Sequence, residues 1–170
     1  MGKSTLTKDT VPAEYTVGLA LFDAVPVILF LAACVLLWKM TGSVLVLAGG
    51  IVSFVSGMGK VLWKILVAVQ KKNVWPLFVQ MRFWMPAGLT LVLAGFLITC
   101  FTKDLSSFWE KALTALPILF FVLSLSGMTG MILCGAKLDP VKARSNWIEQ
   151  GCNTIAQGAF FAAMALIFFR

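Results

Sequence analysis

The stretch VGLALFDAVPVILFLAACVLLW, from Val17 to Trp38, decides the fold class of this chain. It is apolar almost throughout, and Asp23 is its only charged residue. An α-helix needs about 20 residues to cross a hydrocarbon core of about 30 Å, and this stretch is long enough. An isolated strand would leave its backbone groups unpaired in hydrocarbon. The stretch therefore predicts a membrane-spanning helix.

Four more stretches of similar character follow, at residues 43–68, 83–101, 116–136 and 151–169. The last helix is expected to begin near Val141, because Asp139-Pro140 is a typical helix start. All of these runs are longer than the roughly 9–11 residues of a membrane barrel strand. We therefore predict an all-α polytopic membrane protein. Residues 1–16 form a cytoplasmic N-terminal segment, and residues 17–170 form a single five-helix transmembrane bundle.

The composition of the whole chain agrees with this class. Hydrophobic residues make up 60% of the 170 positions and charged residues 12%, whereas soluble domains have roughly 45–50% and 25%. Histidine is absent, which excludes a Ser-His-Asp triad, a His-ligated haem and an HExxH zinc site. The four cysteines form no CxxC pair. The sequence thus predicts neither a metal site nor a cofactor.

The basic residues predict the orientation in a cell membrane. Five spans put the N-terminus on the same side as the second and fourth loops, and basic residues are retained in the cytoplasm. We therefore expect the N-terminus inside and the C-terminus outside. The net charge of +7 then reflects topology and lipid phosphates, which predicts membrane lipids as partners and no nucleic acid. The six tryptophans lie near the span ends, as an aromatic belt predicts. The inner basic residues are Lys3, Lys8, Lys71, Lys72, Arg82, Lys137, Lys142 and Arg144, and the outer ones are Lys39, Lys103, Lys111 and Arg170.

The second and fourth spans share a short motif. Ser56-Gly57-Met58 in one has a counterpart in Ser126-Gly127-Met128 of the other, and Pro26 of the first span has one in Pro86 of the third. This pattern favours two parallel repeats of a helix hairpin followed by a fifth helix, as in some transporters. The alternative is that small residues are common wherever membrane helices touch.

Polar residues are concentrated in the cytoplasmic half of the spans. Hydrocarbon disfavours unpartnered polar groups, so we expect these side chains to converge on one enclosed layer. By the helix rise this layer lies about 10 Å inside the cytoplasmic boundary. The residues at this depth are Asp23, Thr90, Thr129 and Gln157.

Asp23 is the most informative of these groups. A carboxylate at this depth costs a few kcal/mol, so it needs a partner or water. Lys60 is the first candidate partner and Lys64 the second. The alternatives are a purely structural ion pair, a neutral Asp23, and a Lys60 that extends to the lipid head groups.

The fifth span carries a polar stripe, since polar residues recur every four positions from Ser145 to Gln157. Such a stripe is costly on a lipid face, so it is expected to face the bundle interior. The alternative is hydrogen bonding between helices that only holds the bundle together. The predicted substrate-binding residues are Asp23, Ser56, Lys60, Arg144, Glu149, Asn153 and Gln157.

These residues favour a small membrane transporter or substrate-binding membrane subunit with a polar pocket in the cytoplasmic half of the bundle. The mixed charges predict a small polar or zwitterionic solute, and five helices make so thin a wall that a homodimer is an expected partner. A second hypothesis is a membrane enzyme acting on lipid head groups or lipid-linked substrates, with Asp23 or Glu149 as acid or base. A third is a non-catalytic subunit of a membrane complex. The sequence shows no nucleophile motif, which favours a role other than catalysis.

Overall fold

The computed structural model describes residues 6–170, and helices are its only regular elements. Five helices are long and apolar enough to cross a membrane, with α3 and α4 together forming the third of these spans. The prediction of an all-α polytopic bundle is therefore confirmed. Residues 1–5, which include Lys3, lie outside the described residues. In chain order the helices are α1 (Val17–Thr41), α2 (Val44–Gln70), α3 (Trp75–Val79), α4 (Met81–Thr102), α5 (Ser106–Ala112), α6 (Ala115–Lys137) and α7 (Ala143–Phe169).

The ends of α1 follow from local sequence signals. The Thr16 hydroxyl accepts a hydrogen bond from the Leu19 backbone N–H at 3.2 Å and so caps the first turn. Gly42 ends the helix in the left-handed conformation, with φ at 65°, which glycine adopts without steric cost. An odd number of spans then places the start of α1 and the end of α7 at opposite ends of the bundle. We term these the N-terminal end and the C-terminal end.

The five long helices form an open row. Extensive packing joins α4 to α2, α2 to α1, α1 to α7, and α7 to α6. Within residues 6–170, the outermost helices α4 and α6 share no extensive interface. A groove therefore remains between them, with α1 at its floor. The short α5 crosses this groove at the C-terminal end, where the rings of Phe96 and Phe108 lie 5.6 Å apart.

The second hairpin of the predicted repeat is not formed. Packing joins α1 and α2 as a hairpin, but α6 packs along α7 and leaves α4. The shared motif serves two different contacts, because Gly57 lies against Val27 of α1 and Gly127 lies against Ala156 of α7. Small residues at helix contacts therefore explain the motif.

A close contact of backbone with backbone joins α2 to α4. A Cβ atom added to Gly49 would lie 2.5 Å from the Gly88 carbonyl oxygen and 2.7 Å from the Val92 backbone nitrogen. Near the C-terminal end, the Ser43 hydroxyl donates to the Gly95 carbonyl oxygen at 3.1 Å. Backbone meets backbone here, which is how small residues hold membrane helices together. This contact fixes one wall of the groove.

Candidate functional site

Residues 6–16, which we term the N-terminal strap, fold across the N-terminal end of the bundle. The Tyr15 hydroxyl donates to the Pro140 carbonyl oxygen at 2.7 Å, which ties the strap to the loop between α6 and α7. Asn73 ties it to the loop after α2, and its own Oδ1 accepts from Trp63 Nε1 at 2.8 Å. The strap thus joins two loops that are distant in sequence. The carbonyl oxygens that accept from Asn73 Nδ2 belong to Thr7, Lys8 and Thr10.

The strap also caps the last helix. Glu14 Oε2 accepts a hydrogen bond from the Ala143 backbone N–H at 3.0 Å. A carboxylate at this position satisfies one free N–H of α7 and is stabilised by the positive end of the helix dipole. The start of α7 is therefore fixed by a residue that precedes α1.

Tyr15 and Trp63 form an aromatic cover beneath the strap. Their ring centroids lie 5.9 Å apart in a nearly perpendicular arrangement, and Trp63 is fully buried. Trp63 is therefore a core residue, and its predicted place in an aromatic belt is wrong. Burial raises the pKa of the Tyr15 hydroxyl above its ordinary value. The cover closes the N-terminal end above the next layer of side chains.

A cluster of three charges lies directly under this cover. Asp23 Oδ2 is 3.0 Å from Lys64 Nζ, and Asp23 Oδ1 is 3.7 Å from Lys60 Nζ. Lys64, the second candidate from the sequence, is thus the closer partner. Its ammonium also lies 5.6 Å from the centroid of the Tyr15 ring. Only 4% of the Asp23 side chain and 1% of the Lys64 side chain are exposed, so this pair is sealed from its surroundings.

Lys60 differs from Lys64 in its access. Its side chain is 16% exposed, and the 3.7 Å separation from Asp23 is too long for a hydrogen bond. Both ion pairs within residues 6–170 use the same carboxylate. Two cations therefore share one anion, and the ammonium of Lys60 keeps donors that Asp23 does not satisfy. Lys60 is the accessible member of the cluster.

Side-chain amides continue the polar layer along α7. Asn153 Nδ2 donates to Gln150 Oε1, and Gln157 Nε2 donates to Asn153 Oδ1, both at 3.4 Å. We term these three residues the amide ladder. Gln150 is buried, whereas Asn153 and Gln157 are half-buried. Asn153 and Gln157 were predicted as site residues, whereas Gln150 was not.

Two contacts between α1 and α7 set the level of the ladder. The rings of Phe22 and Trp147 lie 5.1 Å apart, and a Cβ added to Gly158 would lie 3.8 Å from Leu29. Linear interpolation between these contacts places Asp23 level with residues 148–149, within one helical turn of Gln150. The charge cluster therefore lies close to the depth of Gln150, where the amide ladder begins, and the ladder continues from there toward the C-terminal end.

The remaining predicted site residues lie at the edges of this layer. Glu149 is half-buried and Arg144 is exposed, both toward the N-terminal end of α7. Ser56 is buried one helical turn from Lys60, and its carbonyl oxygen accepts from Gln80 Nε2 at 2.8 Å.

Several buried polar atoms have no hydrogen-bond partner among the described residues. They include the hydroxyls of Ser53, Ser56 and Thr154 and the Nε2 atom of Gln150.

The predicted convergence of polar groups from all five spans is wrong for two of them. Thr90 and Thr129 are exposed, and their hydroxyls donate at 2.9 Å to carbonyl oxygens of their own helices, those of Pro86 and Leu125. A helical threonine can satisfy itself in this way, so hydrocarbon does not force it inward. The layer at this depth is built by α1, α2 and α7.

An apolar cavity of about 310 Å³ lies on the C-terminal side of this layer, between α4 and α6. Its nearest boundary to the amide ladder is Phe160, one helical turn beyond Gln157. The ring of Phe160 stacks on Phe30 of α1, with centroids 6.2 Å apart. The groove is thus polar in one half and apolar in the other. Other residues lining the cavity include Val92, Phe96, Trp109, Ala112, Phe121 and Met164.

These features define a class: a polytopic α-helical membrane protein with buried charges in one half of a lateral groove and an apolar cavity in the other. No protein-family model, curated protein or solved structure matches the chain. In the part of the chain that the structure describes, no three Cys, Asp or Glu side chains come together as potential metal ligands.

Proposed function

We propose that this protein is a small membrane transporter or a substrate-binding membrane subunit, and that its ligand binds at the polar layer. The observation that carries the proposal is the cluster of Asp23, Lys60 and Lys64 within the spanning helices. Ionisable groups at such depth are costly, and in membrane proteins they commonly mark ligand or ion pathways. The mixed charges suit a small polar or zwitterionic ligand.

Two further observations support a ligand at this layer. Lys60 is accessible and retains free donors, and the amide ladder on α7 offers both donors and acceptors in the same half of the bundle. The ladder residues Asn153 and Gln157 are half-buried, which favours a ligand inside the bundle over a partner subunit on its outer face. A ligand that enters from the N-terminal end must displace the strap, because Tyr15 covers Lys64.

We also propose that the N-terminal end of the bundle is cytoplasmic. The basic residues at this end include Lys71, Lys72, Lys137 and Lys142, in loops and at helix ends. The C-terminal end carries fewer, among them Lys39 and Lys103. The excess at the N-terminal end is the distribution that retains loops in the cytoplasm.

A lipid-directed enzyme is the second candidate, and the groove between α4 and α6 favours it. Such a groove would give a lipid substrate access from the membrane plane to Lys60, the accessible member of the cluster. Asp23 and Glu149 are the carboxylates that such an enzyme would use. Lipid turnover by the double variant Asp23→Asn, Glu149→Gln would count against this candidate.

Ligand-induced thermal stabilisation tests the leading proposal. The purified protein is heated with a panel of amino acids, betaines and organic anions with short and long chains, and each unfolding temperature is recorded. At least one solute class is expected to stabilise the parent, because binding to the folded state shifts the unfolding equilibrium. The same shift is expected to disappear in Asp23→Asn and in Lys60→Gln.

Asp104→Asn is the matched control, since Asp104 is an exposed carboxylate at the C-terminal end. This variant is expected to keep the shift of the parent. The proposal is overturned if the parent responds to none of the solutes, or if both site variants respond as strongly as the control. Lys60→Gln is expected to fold even if Asp23→Asn does not, because Lys60 lacks the short contact with Asp23 that Lys64 makes.

A further inference from the structure

The ligand class can be narrowed by treating the two halves of the groove together. We infer that the polar layer and the apolar cavity form one site for a single-chain anionic amphiphile. Its carboxylate or phosphate head binds at Lys60 and the amide ladder, and its hydrocarbon chain occupies the cavity between α4 and α6. This inference rests on the proposed function and names its substrate class.

The polar layer favours an anionic head because two of its donors, the Lys60 ammonium and the Gln150 Nε2 atom, have no hydrogen-bond acceptor within residues 6–170. Asp23 supplies the only carboxylate paired with Lys60 and Lys64 in the described part of the chain. Gln150 is 1% exposed, and its Nε2 atom has no acceptor among residues 6–170, while its Oε1 atom already accepts from Asn153. Free ammonium and amide donors in a low-dielectric site bind anionic oxygens strongly.

The cavity is close enough to this head site for one molecule to reach both. Phe160 lies three residues beyond Gln157, which is about 4.5 Å along α7. Phe30 lies seven residues beyond Asp23, which is about 10 Å along α1. Since Phe30 and Phe160 stack at the polar edge of the cavity, a chain attached to a head group in the polar layer reaches them over about 4.5–10 Å.

The size of the cavity selects one hydrocarbon chain over other occupants. Its volume of about 310 Å³ is at the lower limit of small-ligand pockets, which span about 300–1,000 Å³. A helix from a second copy of the protein is about 10 Å wide and does not fit. A flexible chain fits, and aromatic and aliphatic side chains such as Phe96, Phe121 and Met164 line its path.

Direct binding of simple amphiphiles tests the inference. The full-length protein is placed in nanodiscs of zwitterionic lipid, and empty nanodiscs give the background. The probes are dodecanoate, dodecyl phosphate, butanoate and dodecyltrimethylammonium. Dodecanoate or dodecyl phosphate is expected to bind at least about tenfold tighter than the last two, and the comparison of these two anions shows which head group the site prefers.

Two variants separate the head from the chain. Lys60→Met is expected to weaken binding of the anionic amphiphile about tenfold through loss of a charge-assisted hydrogen bond. Ala112→Phe fills the cavity and is expected to weaken it by a similar factor. Ala87→Phe on the exposed face of α4 is the matched control and is expected to bind as the parent does. Leu93→Trp at the cavity rim replaces Ala112→Phe if that variant does not fold.

The outcomes distinguish this inference from the proposed function. Butanoate binding as tightly as dodecanoate, with both lost in Lys60→Met, overturns the inference and leaves the polar site intact. Equal binding of dodecyltrimethylammonium, or dodecanoate binding that survives both cavity-filling variants, also overturns it. A parent that binds neither amphiphiles nor the polar solutes of the earlier panel removes the proposed function as well.

Discussion

The two halves of the groove are filled in opposite ways. In the N-terminal half, Asp23 and Lys64 are packed against each other, sealed by Tyr15 and Trp63, and closed by the strap. In the C-terminal half, a cavity of about 310 Å³ stays unfilled by protein. Unpartnered charge is costly in hydrocarbon, so the chain itself must supply the partners. An apolar cavity carries no such cost in a membrane, because lipid-like chains can fill it.

The largest expected effect comes from breaking the charge cluster. Asp23→Leu leaves Lys60 and Lys64 without their carboxylate inside the spanning helices. Removing one partner of a buried ion pair costs about 3–5 kcal/mol, since an uncompensated charge remains. We expect a loss of this order in the free energy of unfolding, measured by denaturant titration in mixed micelles.

A second substitution shows whether charge is the cause. Asp23→Leu combined with Lys64→Met removes both members of the short ion pair, and we expect it to recover most of the lost stability. Glu110→Leu removes an exposed carboxylate at the C-terminal end and is expected to change little. If Asp23→Leu is no more damaging than Glu110→Leu, the N-terminal half does not depend on its charges and the contrast between the halves is wrong.

A smaller effect is expected at the wall of the apolar half. Gly49→Ala places a Cβ atom 2.5 Å from the Gly88 carbonyl oxygen, and backbone cannot rotate away as a side chain can. Because Val92 lines the cavity and lies beside Gly49, α4 must move outward and widen the groove. Overpacking of this kind costs about 1–3 kcal/mol in the free energy of unfolding.

Gly151→Ala is the matched control for this prediction, because nothing lies within 4 Å of a Cβ atom added there. Alanine in place of a helical glycine stabilises by about 0.5–1 kcal/mol when space is free. Opposite signs for the two substitutions are therefore expected in the same unfolding assay. Equal effects would mean that the contact between α2 and α4 is not the tight wall that the structure shows.

The five spans were predictable because hydropathy is a local property. The first span begins at Val17, as predicted, and the last helix begins at Ala143, two residues after the predicted start. The others match within a few residues apart from the short α3. The order of the helices in the row was not predictable. It depends on contacts such as that between Gly49 and Gly88, which join residues far apart in sequence.

The polar layer was predictable only for side chains that cannot form a hydrogen bond with their own helix. Asp23 needs an external cation, and the sequence offered Lys60 and Lys64 at the right depth. Thr90 and Thr129 misled the prediction because their own helices accept their hydroxyl hydrogens. The apolar cavity left no signal in the sequence, since it exists only because α4 and α6 fail to meet.

The spacing of the stripe on α7 explains why Gln150 was missed. Four residues advance a helix by about 400°, so a strict four-residue repeat drifts by about 40° at each step. The stripe from Ser145 to Gln157 therefore turns around the helix. Asn146, Gln150, Asn153 and Gln157 follow one another at steps of four, three and four residues. These alternating steps keep the four side chains on one face of the helix. This signal in the sequence could have found the amide ladder.

The smallest expected effect concerns the cover of the polar half. Tyr15→Phe removes the hydrogen bond to the Pro140 carbonyl oxygen, which is expected to cost about 0.5–1.5 kcal/mol of unfolding free energy at neutral pH. The ring and its contact with Trp63 remain, so the charge cluster stays covered. A loss several times larger would mean that this one bond holds the whole strap.

The same variant carries a pH test of the burial of Tyr15. Burial raises the pKa of its hydroxyl above the ordinary value of 10.0, so the folded state keeps the proton where the unfolded state has lost it. The unfolded state then binds fewer protons above about pH 10, and the free energy of unfolding falls as the pH rises further. Below about pH 10 the contribution of the buried Tyr15 hydroxyl to the free energy of unfolding is fully present. Between about pH 10 and 11 the parent is therefore expected to lose stability more steeply than Tyr15→Phe, and parallel curves would show that the strap leaves this hydroxyl open to water.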